Sequence, residues 1–171
     1  MRVLYVCTRN TCLSPTAERL TTAYAEECGR PALTAHSAGT GAMVGHGMEP
    51  TAALVLQQLG GTSEGFVARP LDTAIAQDSD MIITMSEQQR RSVIEAAPDM
   101  TRSVFTLREA ARLQQISGAA TVAELTAART QLSASEPEDI VDPTGSDEET
   151  FITVGSEIAD LLIPLLARIQ E

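Results

Sequence analysis

The sequence predicts an α/β protein, a three-layer sandwich in which helices cover both faces of a four-stranded parallel sheet. Short strand-like runs are separated by longer stretches with helical periodicity, an alternation typical of parallel sheets. The predicted strands span residues 2–6, 33–37, 81–84 and 104–107. The chain has 171 residues and no repeats or low-complexity linkers, so it is expected to form a single domain, 1–171.

The first predicted helix follows the first strand closely. Ser14 is expected at its N-cap and Pro15 at its first helical position. The predicted helices lie near residues 15–28, 50–59, 87–96, 108–131 and 147–169. The last one carries a core-facing apolar stripe, and Pro164 is expected to kink or shift its final turns. The acidic, turn-rich segment 136–149 is predicted to be a surface loop.

Composition excludes several classes of protein. The net charge of −11 argues against nonspecific nucleic-acid binding, and the absence of lysine excludes a Walker-type nucleotide site. No apolar run is expected to approach the length of a membrane span, and no signal peptide is apparent, so a cytoplasmic location without membrane contact is predicted. The three cysteines are then expected to be reduced thiols. No cluster has metal-ligand spacing, so neither a metal nor a cofactor is predicted.

The run 6–15 is the most informative part of the chain. Cys7 stands where a strand ends, and a short loop leads from it into a helix. Backbone N–H groups in such a loop, together with the helix N-terminus, bind a tetrahedral anion and favour the thiolate form of cysteine. This is the chemistry of a cysteine phosphatase. A buried strand-end cysteine without a role is the alternative for Cys7 considered alone.

These residues resemble the low-molecular-weight protein tyrosine phosphatase family, whose loop reads Cys-x-Gly-Asn-x-Cys-Arg-Ser-Pro. The matching positions are Cys7, Asn10, Cys12, Ser14 and Pro15. Residues 37–40 are similar to the family's Ser-Ala-Gly-Thr turn, 80–85 to its central strand, and 142–143 to its Asp-Pro. The resemblance runs from residue 1 to the last helix and implies a flavodoxin-like strand order.

The resemblance also implies roles for individual residues. Cys7 would be the nucleophile and Asp142 the general acid, although an Asp before Pro is also explained as a turn former. Ser37 would support the loop, together with Asn10 and Ser14. Cys12 would either form a reversible disulfide with the nucleophile or be a small apolar filler. The implied phosphate-binding residues are Thr8, Arg9, Asn10, Thr11, Cys12, Leu13 and Ser14.

Three positions depart from the family pattern. Leu13 stands at the arginine that grips two phosphate oxygens, a loss expected to cost roughly 10²- to 10⁴-fold in rate. Arg9 stands at the glycine; it either turns toward the anion, with an unusual backbone conformation expected there, or points to solvent. Phe66 replaces a histidine and cannot make its hydrogen bonds, so the polar network is expected to be weakened at that corner.

The sequence therefore predicts a phosphatase of this family that hydrolyses a phosphomonoester, phosphotyrosine-type or repurposed, with weakened activity. Its partner would be a phosphorylated protein or a small-molecule phosphate. Family positions that often stack on a phosphotyrosine ring are Met43 and Thr144 here, and Thr11 resembles the residue of the family's phosphoarginine phosphatases. A pseudophosphatase that acts as a binding module and an arsenate-reductase-like thiol redox protein are the alternatives. The oligomeric state is left open.

Overall fold

The computed structural model describes residues 1–132 and 138–170 and confirms the predicted fold class. Four strands form one parallel sheet in the order β2-β1-β3-β4, the flavodoxin-like order that the resemblance implied. The strands are β1 (Arg2–Cys7), β2 (Thr34–Gly39), β3 (Met81–Thr84) and β4 (Val104–Thr106). Each lies within two residues of its predicted bounds.

Seven α-helices connect and cover the strands within the described residues. They are α1 (Leu13–Glu27), α2 (Pro50–Gln58), α3 (Thr73–Gln77), α4 (Glu87–Ala96), α5 (Leu107–Ser117), α6 (Val122–Ala128) and α7 (Glu148–Arg168). Two short 3₁₀ segments, Pro98–Ser103 and Arg129–Gln131, complete the regular structure.

Alternate residues of β1 point to opposite faces of the sheet and divide the core in two. Val3 and Tyr5 join the larger cluster, which includes apolar residues of α1, α2, α5 and α7. Leu4 and Val6 join a smaller cluster against α3 and α4. Since both faces of the sheet are buried, its strands read as continuous apolar runs, which explains why the sequence located them.

The predicted single helix at 108–131 is wrong. Gly118 adopts a left-handed conformation, with φ at 70°, and ends α5. A capping box then starts α6: Thr121 accepts a bond from the Glu124 N–H, and the Glu124 side chain accepts one from Thr121. The short helix α3 was not predicted; its N-cap is Asp72.

Helix α7 meets the length and composition of a membrane span, contrary to the expectation that no apolar run approaches one. A core helix of a soluble protein passes the same test. One face of α7 is buried in the larger core cluster through Phe151, Val154, Ile158, Leu162 and Leu165. The helix is continuous over 148–168 and includes Pro164.

The segment before α7 is only partly a surface loop. Residues 136 and 137 lie outside the described residues, whereas Asp142 and residues 144–149 are exposed, as predicted. Ile140, however, is buried, and its N–H donates to the Met85 carbonyl across a distance of 2.8 Å. This contact ties the segment to the carboxyl end of β3, which brings Asp142 toward the end of the sheet where Cys7 lies.

Candidate active site

The loop between β1 and α1 is held from outside by the segment 40–49. Four of its carbonyl oxygens accept backbone hydrogen bonds from that segment. The pairs are Cys7 with Thr40 (3.0 Å), Thr8 with Gly41 (2.9 Å), Arg9 with Met43 (2.9 Å) and Thr11 with Glu49 (2.8 Å). Since these carbonyls face outward, N–H groups on the inner side are free to face the cysteine sulfur. The backbone N–H groups of Asn10 and Ser14 indeed donate to Cys7 Sγ.

Gly39, at the end of β2, lets the two segments approach each other. A Cβ atom at this position would lie 2.5 Å from the Thr8 carbonyl oxygen and 3.0 Å from Ala42 Cα. Both neighbours are backbone atoms, so a side chain there would displace the loop itself. The glycine of the Ser-Ala-Gly-Thr turn is therefore required by the close packing of this turn on the loop.

Asn10 is the centre of a buried polar network. Its φ of 57° is the only positive value at a non-glycine residue within the described part of the chain. Its side-chain nitrogen donates to Ser14 Oγ (3.0 Å) and Ser37 Oγ (2.9 Å), and its oxygen accepts from the Arg69 N–H (2.9 Å). The structure thus brings together Asn10, Ser14 and Ser37, as the resemblance implied.

Ser14 is not the N-cap of α1, so that prediction is wrong. The helix begins at Leu13, and Cys12 occupies the cap position without a side-chain cap bond. The Ser14 hydroxyl is instead 2.9 Å from Cys7 Sγ. Because it already accepts from Asn10, its own proton is free to go to the sulfur, so Ser14 stabilises the Cys7 thiolate rather than the helix end.

Glu18 completes the network and was missed by sequence reasoning. Its carboxylate accepts the hydroxyl proton of Ser37. Phe66, at the position of the family's histidine, is buried, and the Arg19 guanidinium lies over its ring, 5.6 Å from the centroid. The Ser37 hydroxyl therefore has an acceptor although the histidine is absent. No spacing in the sequence points to Glu18, because its partner Ser37 lies on another element of the fold.

Cys7 and Asp142 line one small pocket, although 135 positions separate them in the chain. The other lining residues are Thr8, Arg9, Thr11, Cys12, Leu13, Gln89 and Thr144. The pocket volume is about 10 Å³, the space of one water molecule. The structure thus places the two candidate catalytic residues together, with most of the implied loop residues around them.

The Asp142 carboxylate makes a local turn as well as facing the pocket. Its Oδ1 accepts from the Thr144 N–H (3.0 Å) and from the Thr144 hydroxyl (2.7 Å). These bonds form the turn that the alternative interpretation of Asp-Pro expected. Within the described residues they engage Oδ1 only, which leaves Oδ2 available for proton transfer.

The two departures in the loop, Leu13 and Arg9, differ in environment: the Leu13 side chain is buried, and the Arg9 side chain is exposed. Leu13 is 3% exposed and also lines an apolar void with Phe151, Val154 and Ile158. An aliphatic side chain that packs on α7 therefore replaces the family's arginine. Arg9 is exposed at the pocket rim, and its guanidinium makes no hydrogen bond or ion pair to the described residues. The unusual backbone conformation expected at Arg9 is found one residue later, at Asn10.

Gln89 is the second pocket residue that sequence reasoning missed. It lies in the first turn of α4, which Ser86 caps by accepting a hydrogen bond from the Gln89 N–H. Its side chain reaches the phosphate loop, where Nε2 donates to Thr8 Oγ1 at 3.2 Å. The Ser-x-x-Gln pattern identifies the helix start in sequence but gives no hint of this contact.

Both loop cysteines are buried free thiols. Burial raises the pKa of Cys12, and the negative charges of Asp142, Cys7 and Glu49 raise it further. Burial also raises the pKa of Cys7; hydrogen bonds from Ser14 and Asn10 oppose this effect, and the charge of Asp142 adds to it. The loop donors therefore oppose the effect of burial on the pKa of Cys7 without reversing it, contrary to the preference for the thiolate form that the loop sequence predicted.

Alkylation of Cys7 by iodoacetamide is expected to accelerate with pH from 6 to 9. A raised pKa means that the thiolate fraction is small at neutral pH and grows about tenfold per pH unit below the pKa. Asp142→Asn should lower the pKa and speed the reaction at pH 7, because it removes a negative charge near the sulfur. Peptide mass spectrometry would follow Cys7 separately from Cys12 and Cys28. A rate independent of pH between 6 and 8 would contradict the raised pKa.

Comparison with known proteins agrees with this geometry. Residues 2–124 match the family model described as low molecular weight phosphotyrosine protein phosphatase. The chain is 39% identical over 103 residues to the low molecular weight protein-tyrosine-phosphatase Wzb of Escherichia coli K12. The aligned segment covers 60% of this chain and 67% of Wzb. Asp142 and α7 lie beyond the part matched by the family model.

Solved structures extend the similarity to that part. The low molecular weight protein tyrosine phosphatase from T. tengcongensis is 26% identical with a TM-score of 0.78, and the alignment covers 99% of both chains. The YwlE arginine phosphatase from Geobacillus stearothermophilus is 25% identical with a TM-score of 0.74, covering 97% of this chain and 90% of that one. The chain therefore belongs to the low molecular weight phosphotyrosine protein phosphatase family.

Proposed function

We propose that this protein hydrolyses phosphomonoesters through a thiophosphate intermediate on Cys7. The observation that carries the proposal is the position of Cys7 Sγ among the Asn10 and Ser14 N–H groups, in a pocket that also contains Asp142. Oriented backbone donors stabilise the charge of a phosphoryl group in transfer. The presence of both Cys7 and Asp142 in one pocket supports hydrolysis more strongly than either residue would alone.

The reaction takes two steps. The Cys7 thiolate attacks phosphorus, the bond to the leaving oxygen breaks, and Asp142 gives that oxygen its proton. Water then attacks the phosphorus of the thiophosphate, Asp142 takes up a proton from that water, and inorganic phosphate leaves with the thiolate regenerated. Ser14 stabilises the thiolate at the start and at the end through its hydroxyl group.

The substrate class follows from the pocket rim. Wzb is named a protein-tyrosine-phosphatase and YwlE an arginine phosphatase. The residues that line the pocket around Cys7 include no aromatic side chain, and Thr144 and Thr11 are among them. We propose that the substrate is a phosphorylated protein or a small-molecule phosphate whose binding depends little on aromatic stacking. We also propose that the chain acts as a single domain and that it is located in the cytoplasm. The two substrates to compare are phosphotyrosine, which is a phosphomonoester, and phosphoarginine, in which the phosphoryl group is bonded to nitrogen and that nitrogen is the leaving atom.

A binding module without turnover is the second candidate. Two observations favour it: Leu13 occupies the arginine position with its side chain in the core, and burial raises the pKa of Cys7. Both reduce catalysis more than they reduce recognition of an anion by backbone N–H groups. This candidate predicts phosphate binding without phosphate release.

Detection of the covalent intermediate separates the two candidates. The protein is incubated with an aryl phosphate at pH 8, quenched with acid and digested, and the peptide that contains Cys7 is weighed. The proposed function predicts phenol release together with a phosphate on that peptide, and the same result for the Cys28→Ser variant, since Cys28 is exposed at the end of α1. If neither phenol release nor a phosphate on the Cys7 peptide were detected, the binding module would be the remaining candidate function.

A further inference from the structure

We propose that the Gln89 carboxamide donates a hydrogen bond to an oxygen of the phosphoryl group bound in this pocket. It would supply, without charge, the side-chain donor that Leu13 lacks. The inference rests on the proposed function only in that the loop must bind a phosphoryl group, whether or not it is then transferred. It adds to the site a residue from α4, outside the phosphate loop.

The orientation of the Gln89 amide is fixed by its neighbours. The Met85 N–H is shared between the Val6 carbonyl at 3.1 Å and Gln89 Oε1 at 2.9 Å, and only an oxygen can accept the second bond. The nitrogen must then be on the opposite side, where it donates to Thr8 Oγ1 at 3.2 Å. The residue is 8% exposed, so the polar end is held in place by surroundings that exclude most water.

One hydrogen of the amide has no acceptor among the described residues and remains for a ligand. The Nε2 atom carries two, and the bond to Thr8 uses one of them. Thr8 in turn accepts from Gln89, so its hydroxyl proton is free to point elsewhere. Gln89 and Thr8 both line the pocket that contains Cys7. A phosphoryl oxygen there would therefore meet oriented neutral donors on the side of the pocket formed by α4.

Capping of α4 explains the oxygen of the Gln89 amide but not its nitrogen. The oxygen of Gln89 accepts the N–H of the residue that precedes the Ser86 cap, which stabilises the helix start. A glutamate would accept that bond equally well. The amide nitrogen makes no contribution to the cap, and this half of the side chain is the part directed to Thr8 and the pocket.

Titration with inorganic phosphate tests the inference without turnover. Calorimetry at pH 7 and low ionic strength would compare the wild-type protein with Gln89→Leu, Gln89→Glu and Gln88→Leu. Gln88 is the exposed neighbour on the same helix and serves as the matched control. Loss of a hydrogen bond to a charged group is expected to raise the Kd of Gln89→Leu by about tenfold or more, with Gln88→Leu at the wild-type value.

Gln89→Glu keeps the acceptor for Met85 and removes the donor, so it tests the inference even if Gln89→Leu unfolds. Burial of its carboxylate is expected to lower the Tm, so the variant is compared while folded, and it is expected to bind phosphate more weakly by at least the same factor. Wild-type affinity in a folded Gln89 variant, equal weakening in Gln88→Leu, or no phosphate binding by the wild-type protein would overturn the inference. Phosphate binding that depends on Gln89, without a label on Cys7, would refute the proposed catalysis and leave this inference standing.

Discussion

Leu13→Arg is expected to raise kcat/KM for an aryl phosphate by roughly 10²- to 10⁴-fold, the range of a charged bidentate donor in the transition state. The arginine side chain would extend from the first residue of α1, beside the pocket that Leu13 already lines. Its positive charge should also lower the pKa of Cys7, so that the pH at which activity rises moves downward. Steady-state kinetics from pH 5 to 9 would measure both effects.

The same substitution should cost stability, because Leu13 belongs to the larger core cluster. Removal of a buried leucine from apolar contact costs about 1.5–3 kcal/mol, and thermal unfolding would record it. Leu13→Met is the matched control, since it changes the side chain without adding a donor, and its kcat/KM should stay near that of the wild-type protein. A folded Leu13→Arg variant no faster than Leu13→Met would show that the arginine is not the missing element.

Cys7→Ser is expected to reduce hydrolysis by about 10⁴-fold or more, as removal of an essential nucleophile does in other enzymes. A serine hydroxyl can take the place of the sulfur in the bond with Ser14, so the fold should persist. Its pKa is far above that of a thiol, and among the residues that the structure describes no base lies within hydrogen-bond distance to activate it. The measurement is kcat for an aryl phosphate at pH 8.

Cys28→Ser is the control for that experiment, because Cys28 is exposed and lies at the other end of α1. Its kcat should equal the wild-type value within twofold. If Cys7→Ser retained the wild-type rate, the activity would come from another group, and the proposed mechanism would be wrong.

Most of the fold could be predicted because its signals are local. The strands of a parallel sheet are buried on both faces, so each appears as an apolar run of limited length, as at 81–84. Helix α4 was predicted at its observed bounds, and Ser86, which caps it, is a local signal of its start. The split between α5 and α6 was also readable, since Gly118 and the Thr121–Glu124 box are local signals; the apolar period across 108–131 was given too much weight.

The candidate site could be predicted only in part. Its loop residues lie next to one another in the chain and match a known motif, whereas Glu18 and Gln89 contribute through contacts that no spacing encodes. Ser14 shows the opposite problem. A Ser-Pro pair has a well-known local meaning as a helix start, but its hydroxyl is bound to Cys7 and Asn10, so a tertiary contact replaced the local one.

The four outward-facing carbonyls of the phosphate loop have a thermodynamic consequence. Since the segment 40–49 already fixes the loop backbone, an anion that enters has little conformational entropy to remove. Preorganisation of this kind means that differences in affinity among phosphate, sulfate and vanadate report the strength of the donors rather than the cost of loop ordering. The scaffold can therefore accept changes at single donor positions, and each change can be measured as a separate increment of binding free energy.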